Sequence, residues 1–171
     1  MEHGYSTFVG KQEAKKFLKQ YLYPNDKICD VGAGGGTYYF LLGRDYEWTA
    51  VEIFHENAEY LKNKYNKIYE EDIRTFNYPD FYDLIIFGDV IEHMSVEDAQ
   101  KVLTEAKKHT KMIMVSVPYE LEQDAIHNNE YERHLQPDLT PTIFKERYPE
   151  FKSIIILPQY GIGYYYWRAN E

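Results

Sequence analysis

The sequence predicts an α/β fold: one domain on a mostly parallel sheet with helices on both faces. Two observations carry this. From Lys27 to Val117, short apolar runs of strand length alternate with amphipathic runs of helix length. That order builds βαβ units and a parallel sheet. The chain then closes on two further strand-like runs, Ser153–Leu157 and Tyr164–Trp167, with Gly161 and Gly163 between them as a hairpin turn.

Each element has its own signal. A first helix is expected over Gly10–Leu22, where Ala14, Phe17, Leu18, Tyr21 and Leu22 recur at helical spacing until Pro24 stops it. Lys27-Ile28-Cys29 reads as the first strand. A second helix follows over Thr37–Leu42 and ends at Gly43. Trp48–Ile53 is the second strand, and His55–Tyr65 a helix with Ala58, Leu61 and Tyr65 inward. Ile68–Ile73 is the third strand, and Tyr82–His93 the fourth strand and its edge. Ser95 caps the next helix and Asp98 can reach back to it, while Ala99, Val102, Leu103 and Ala106 form its buried stripe. Met112–Val117 is the fifth strand, closed by Pro118. Thr140 and Pro141 open the last helix as cap and first residue. Between them, Tyr119–Pro137 is polar and aperiodic. We expect a single domain over residues 1–171, in which 119–137 is an insertion or lid on the substrate side.

Composition narrows the partners. With 19 Lys and Arg against 28 Asp and Glu, the formal charge is −9, which repels a nucleic-acid backbone. No nucleic-acid partner is expected. The lone cysteine, Cys29, lies in a strand and reads as a small buried residue. The N-terminus shows no charged-then-apolar leader and no run has membrane-spanning length. The expectation is a cytoplasmic protein without a membrane partner.

The most informative run is Asp30-Val-Gly-Ala-Gly-Gly-Gly36, directly after the first strand. Glycines there let the chain turn sharply and let a ligand lie against bare main chain. A loop of this kind binds the adenosine part of a cofactor. A dinucleotide fingerprint, counted from Gly32, needs its third glycine at position 37, which is Thr37. Gly32, Gly34 and Gly36 alternate instead, with an acid two residues ahead. In this the chain resembles the class I S-adenosylmethionine-dependent methyltransferases, whose first motif is acid-x-Gly-x-Gly-x-Gly. A nicotinamide or flavin site, and a ligand-free turn, are the other readings.

The resemblance continues along nearly the whole chain. It implies a Rossmann-like sheet of seven strands with the last antiparallel, and S-adenosyl-L-methionine as cofactor, leaving as S-adenosyl-L-homocysteine. It implies that Glu52, 20 residues after Gly32, accepts the ribose hydroxyls and that Asp72 takes the adenine amino group. Asp30, Gly32, Ala33, Gly34, Gly36, Ile53, Ile73 and Asp89 complete the expected cofactor site. Asp89-Val90-Ile91-Glu92-His93 is similar to the tail after the fourth strand in small-molecule methyltransferases.

Methyl transfer from a sulfonium is a single in-line displacement, so alignment and exclusion of water dominate. A base matters when the nucleophile is an alcohol. His93 is the first candidate, with His134 and His127 in reserve. His127 and His134 stand seven apart with carboxylates between them, which suits a metal or a metal-free substrate loop; we expect no metal. The reading is a methyltransferase acting on a small molecule at oxygen. Its rivals are an N- or protein-side-chain methyltransferase and a non-catalytic cofactor-binding partner subunit. The oligomeric state is not legible.

Overall fold

The structure, a computed structural model, describes residues 9–126 and 129–171. Its seven strands are β1 (Lys27–Val31), β2 (Glu47–Val51), β3 (Lys67–Tyr69), β4 (Leu84–Gly88), β5 (Met112–Pro118), β6 (Lys152–Leu157) and β7 (Ile162–Arg168). They form one sheet in the order β3-β2-β1-β4-β5-β7-β6. β7 is antiparallel to both neighbours and the other pairings are parallel. The expected seven-stranded sheet with its last strand reversed is therefore present.

Five helices cover the faces: α1 (Lys11–Leu18), α2 (Thr37–Leu42), α3 (His55–Leu61), α4 (Val96–Lys107) and α5 (Pro141–Arg147). Strand alternation divides the core between them. Ile28, Leu84, Ile86, Met112 and Met114 pack with Ala14, Leu18, Tyr38, Leu42 and Leu61 from α1, α2 and α3. Cys29, Ile85, Phe87, Ile113 and Val115 face the other way, against Ala99, Val102, Leu103 and Phe144 of α4 and α5. Each fully buried Ile or Leu contributes on the order of 1.5–3 kcal/mol, so the central strands anchor everything mounted on their ends.

Some boundaries differ from the sequence reading. The first helix ends at Leu18, because Gln20 and Tyr21 donate only three residues back, to Phe17 and Leu18; the turn tightens before Pro24 is reached. The third helix ends at Leu61, and Lys64 likewise donates to the Leu61 carbonyl at 2.8 Å. β3 is only three residues long, so Asp72 lies in a turn after it. The caps at Ser95 and Thr140 form as expected: their hydroxyls accept from Asp98 N and Ile143 N, each at 3.1 Å.

Register sets the working edge. Val31 pairs with Val51 and Phe87, and Gly88 with Ser116. The carboxyl ends of β1, β2, β4 and β5 are thus level, and Gly32, Glu52 and Asp89 leave the sheet side by side.

Candidate active site

The glycine loop is a left-handed turn at three places: φ is 61° at Gly32, 51° at Gly34 and 79° at Gly36. An L side chain resists this backbone. At Gly32 there is also no room, because a Cβ would lie 2.6 Å from Val90 Cγ2. At Gly34 the surroundings are open; the nearest atom to a Cβ would be the Gly32 carbonyl at 3.9 Å. Gly32 therefore closes the loop onto the β4 end, while Gly34 keeps a bare stretch of main chain facing free space.

Glu52 clamps this loop. One carboxylate oxygen accepts from Gly34 N at 2.8 Å and the other from Phe54 N at 2.9 Å. The residue is 3% exposed. Burial raises its pKa, and those two donors work against the rise. The Asn57 side chain donates to the carboxylate as well, which leaves an acceptor position for a further donor.

Behind the loop sits Asp30, fully buried and accepting from Tyr65 OH at 2.6 Å. Burial pushes its pKa up to about 7, opposed by the Tyr65 hydrogen bond. Lys11, the first residue of α1, is 1% exposed, and burial lowers its pKa while Asp89 and Asp30 raise it. Its ammonium lies 5.7 Å from the Tyr38 ring centre. Asp89 accepts from Ser116 Oγ at 2.7 Å, and the Ser116 hydroxyl is 3.1 Å from Tyr38 OH. The acid pair thus comes with a lysine, two tyrosines and a serine that the sequence reading passed over. Lys11 fell within the helix expected over Gly10–Leu22 but outside its apolar positions; in the structure it follows Gly10, whose φ is 80°.

Other expected residues are placed differently. Asp72 is held by its own neighbour: Arg74 donates to it from the main chain at 2.9 Å and from Nε at 3.0 Å. That pairing keeps the Asp72 carboxyl below the usual range. Ala33 is buried with the α1–α3 face of the core, and Ile73 packs against the opposite cluster, so Ala33 can offer a ligand only its backbone. Ile53 is half-buried beside Glu52.

The segment after β5 crosses the carboxyl edge. Leu135 and Gln136 donate to the Glu92 carbonyl, and Gln136 Nε2 to Ile91 O at 2.8 Å. Tyr131 meets Phe54 edge-on at 6.2 Å between ring centres, and the Arg74 guanidinium lies 5.4 Å from the Tyr131 ring. The segment therefore spans from the β4 end to the ends of β2 and β3. It brings His134 onto His93, rings edge-to-face at 4.7 Å. His93 Nδ1 is 3.3 Å from the Arg133 carbonyl and His134 Nδ1 is 2.8 Å from that of Leu121. A carbonyl only accepts, so each Nδ1 carries the proton and each Nε2 the lone pair. Burial lowers the His93 pKa to about 4. Glu92, 1% exposed, joins the pair. His127, the third expected histidine, lies outside the described residues.

Residues 28–112 match the family model of the methyltransferase domain. The chain belongs to the class I S-adenosylmethionine-dependent methyltransferases. No curated protein matches it. Among solved structures this methyltransferase is similar to an S-adenosylmethionine-dependent methyltransferase from Clostridium acetobutylicum, at 12% identity, 94% of this chain, 91% of that one and a TM-score of 0.69. The N-terminal domain of EvdMO1, solved with S-adenosylhomocysteine and D-fucose, aligns at 14% identity over 98% and 85% of the two chains, TM-score 0.69. The 1,6-didemethyltoxoflavin N1-methyltransferase of Burkholderia thailandensis, with its substrate and S-adenosylhomocysteine, aligns at 18% identity over 92% and 76%, TM-score 0.63. At such identities the likeness is one of fold. The cofactor of the methyltransferase is S-adenosylmethionine, and the residues fit it: open main chain at Gly34, a carboxylate with an acceptor position to spare at Glu52, and buried acids suited to cationic groups.

Proposed function

We propose that this methyltransferase acts on a small molecule and methylates a hydroxyl oxygen. When bound, S-adenosylmethionine supplies an electrophilic methyl on a sulfonium sulfur. Glu52 holds the ribose, and Asp30 and Asp89 face the cationic methionine end. Ile53, Asp72 and Ile73 border the adenine, which requires Asp72 to share its carboxylate with Arg74.

One observation carries the choice of oxygen: the His93 and His134 rings stand together at the carboxyl edge, each with Nδ1 tied to a main-chain carbonyl. In the neutral ring each therefore offers Nε2 as the acceptor. An attacking alcohol gains positive charge as the carbon–oxygen bond forms, so its proton becomes far more acidic during the step. A fixed neutral imidazole can receive it there. An amine needs no such acceptor. The small size of the acceptor is supported by the described residues of the 119–137 segment, which cross the edge at Tyr131, Leu135 and Gln136.

The fold does not choose the atom, since the Burkholderia thailandensis protein is named for transfer to N1. The test is a matched panel of small hydroxyl and amine acceptors, with S-adenosylhomocysteine formation as the readout. Turnover confined to amines, or one that His93→Gln and His134→Gln leave unchanged, would end the oxygen reading.

A further inference from the structure

Glu92 is the one group at the working edge that the proposed function leaves without a task. Its Oε2 is buried and has no hydrogen-bond partner, a costly state for a carboxylate. It does not lie alone. Ligand-capable atoms of Glu92, His93 and His134 lie within 4.8 Å of one another. Both imidazoles donate Nδ1–H to main-chain carbonyls, of Arg133 and Leu121. That arrangement orients metal-binding histidines and leaves Nε2 as the ligand atom. Ligands about 2.0–2.2 Å from an ion are at most roughly 4.4 Å apart, so the three groups must draw together for the site to close.

We propose that Glu92, His93 and His134 form a binding site for a divalent transition-metal ion. Two imidazoles and one carboxylate suit zinc, cobalt or manganese better than magnesium or calcium. This departs from the metal-free loop expected from sequence, where His134 was weighed with His127 and the acids between them. The partners come instead from the turn after β4, at positions 92 and 93. Surrounding charge agrees: burial first, then Asp89 and Glu132, push the Glu92 carboxyl well above its ordinary range, and a cation relieves all of them.

Three protein ligands leave open positions. On the hydroxyl-acceptor reading above, on which this role rests, one of them takes the acceptor oxygen. The coordinated hydroxyl then loses its proton to solvent more readily, and the histidines serve as ligands rather than as the base.

The test strips the whole chain with a chelator and titrates it with Co²⁺, followed by visible absorption, and with Zn²⁺ by calorimetry. The expected result is one ion per chain. Glu92→Gln and His134→Gln should each weaken binding at least tenfold, as even supporting groups do. His109→Gln, on the surface pair with Glu105, should leave it unchanged. S-adenosylhomocysteine titration of each variant confirms that it is folded. Absent stoichiometric binding, or binding that Glu92→Gln does not alter, overturns the site. If the ion binds but the stripped enzyme methylates hydroxyls at full rate, the catalytic role is overturned and the base role returns to His93. If the ion binds and only amines are methylated, the site stands and the oxygen reading fails.

Discussion

The two ends of the active site are built in opposite ways. The end proposed for the cofactor is main chain: three left-handed glycines and a carboxylate that ties Gly34 and Phe54 through their N–H groups. The histidine end is side chain: Glu92 with His93 and His134, whose rings are held by carbonyls of a segment that, among its described residues, carries one short turn and one isolated bridge. A backbone-built site tolerates few substitutions but serves any reaction using the same cofactor. A side-chain-built site can be exchanged residue by residue, and that is where one methyltransferase differs from another.

If this contrast is right, variants at one end should spoil cofactor affinity and variants at the other should spoil turnover. The largest effect is expected at Gly34→Val. Its φ of 51° lies outside what a β-branched residue adopts cheaply, at about 1–3 kcal/mol of strain, and the side chain would fill the open space. Calorimetry should detect no S-adenosylhomocysteine binding. Retained binding would mean that the ligand does not lie on this main chain.

His93→Gln comes next. Turnover should fall about 10²–10⁴-fold, while S-adenosylhomocysteine affinity stays within a few-fold. A matching loss of affinity would erase the distinction between the two ends.

Glu52→Ala should weaken cofactor binding by roughly 1.5–3 kcal/mol, the size of hydrogen bonds to a charged group. Because Glu52 is buried and holds two main-chain donors, thermal stability should drop as well. Unchanged affinity would remove Glu52 from the ribose site.

The smallest effect sharpens the comparison through pH. Burial pushes the Asp30 carboxyl up to about 7, against the 3.8 of a free aspartate side chain. Its burial penalty is absent below the lower value, grows between the two, and is fully present above about pH 7. A cationic ligand favours the ionised form, so binding should release a proton. S-adenosylhomocysteine affinity should rise by at most about tenfold per pH unit up to pH 7 and then level off. Asp30→Asn should flatten that profile and stabilise the ligand-free protein above pH 7 relative to wild type. Proton release measured in buffers of different ionisation enthalpy checks the sign.

The same division explains what was legible in the sequence. Glycine spacing and strand-end acids are local signals, and Asp30, Gly32, Gly34 and Glu52 came from them directly. The sheet followed from apolar runs bounded by turns. The histidine cluster is not local: His134 meets His93 across 41 residues, through an aperiodic segment that has no period to read. Glu92 was visible only as one letter of a motif, since nothing in sequence shows that a carboxylate oxygen is buried without a partner. Lys11 was hidden for a similar reason; its burial depends on how α1 docks against α2 and β6 and not on its own neighbours. Asp72 fell in a turn because β3 is too short to reach it.

The position of β7 also has a consequence for how the chain assembles. β6 pairs only with β7, and β7 lies between it and β5. β5 and β7 join residues as far apart as Met112 and Arg168, contacts that close late in folding. Until β7 is made, Ile154-Ile155-Ile156-Leu157 has no strand to join. It is apolar, β-branched and uncharged, the composition that associates between chains. β7 is thus the guard of the strand made just before it, and delayed pairing of β7 with β6 is where aggregation during refolding should begin.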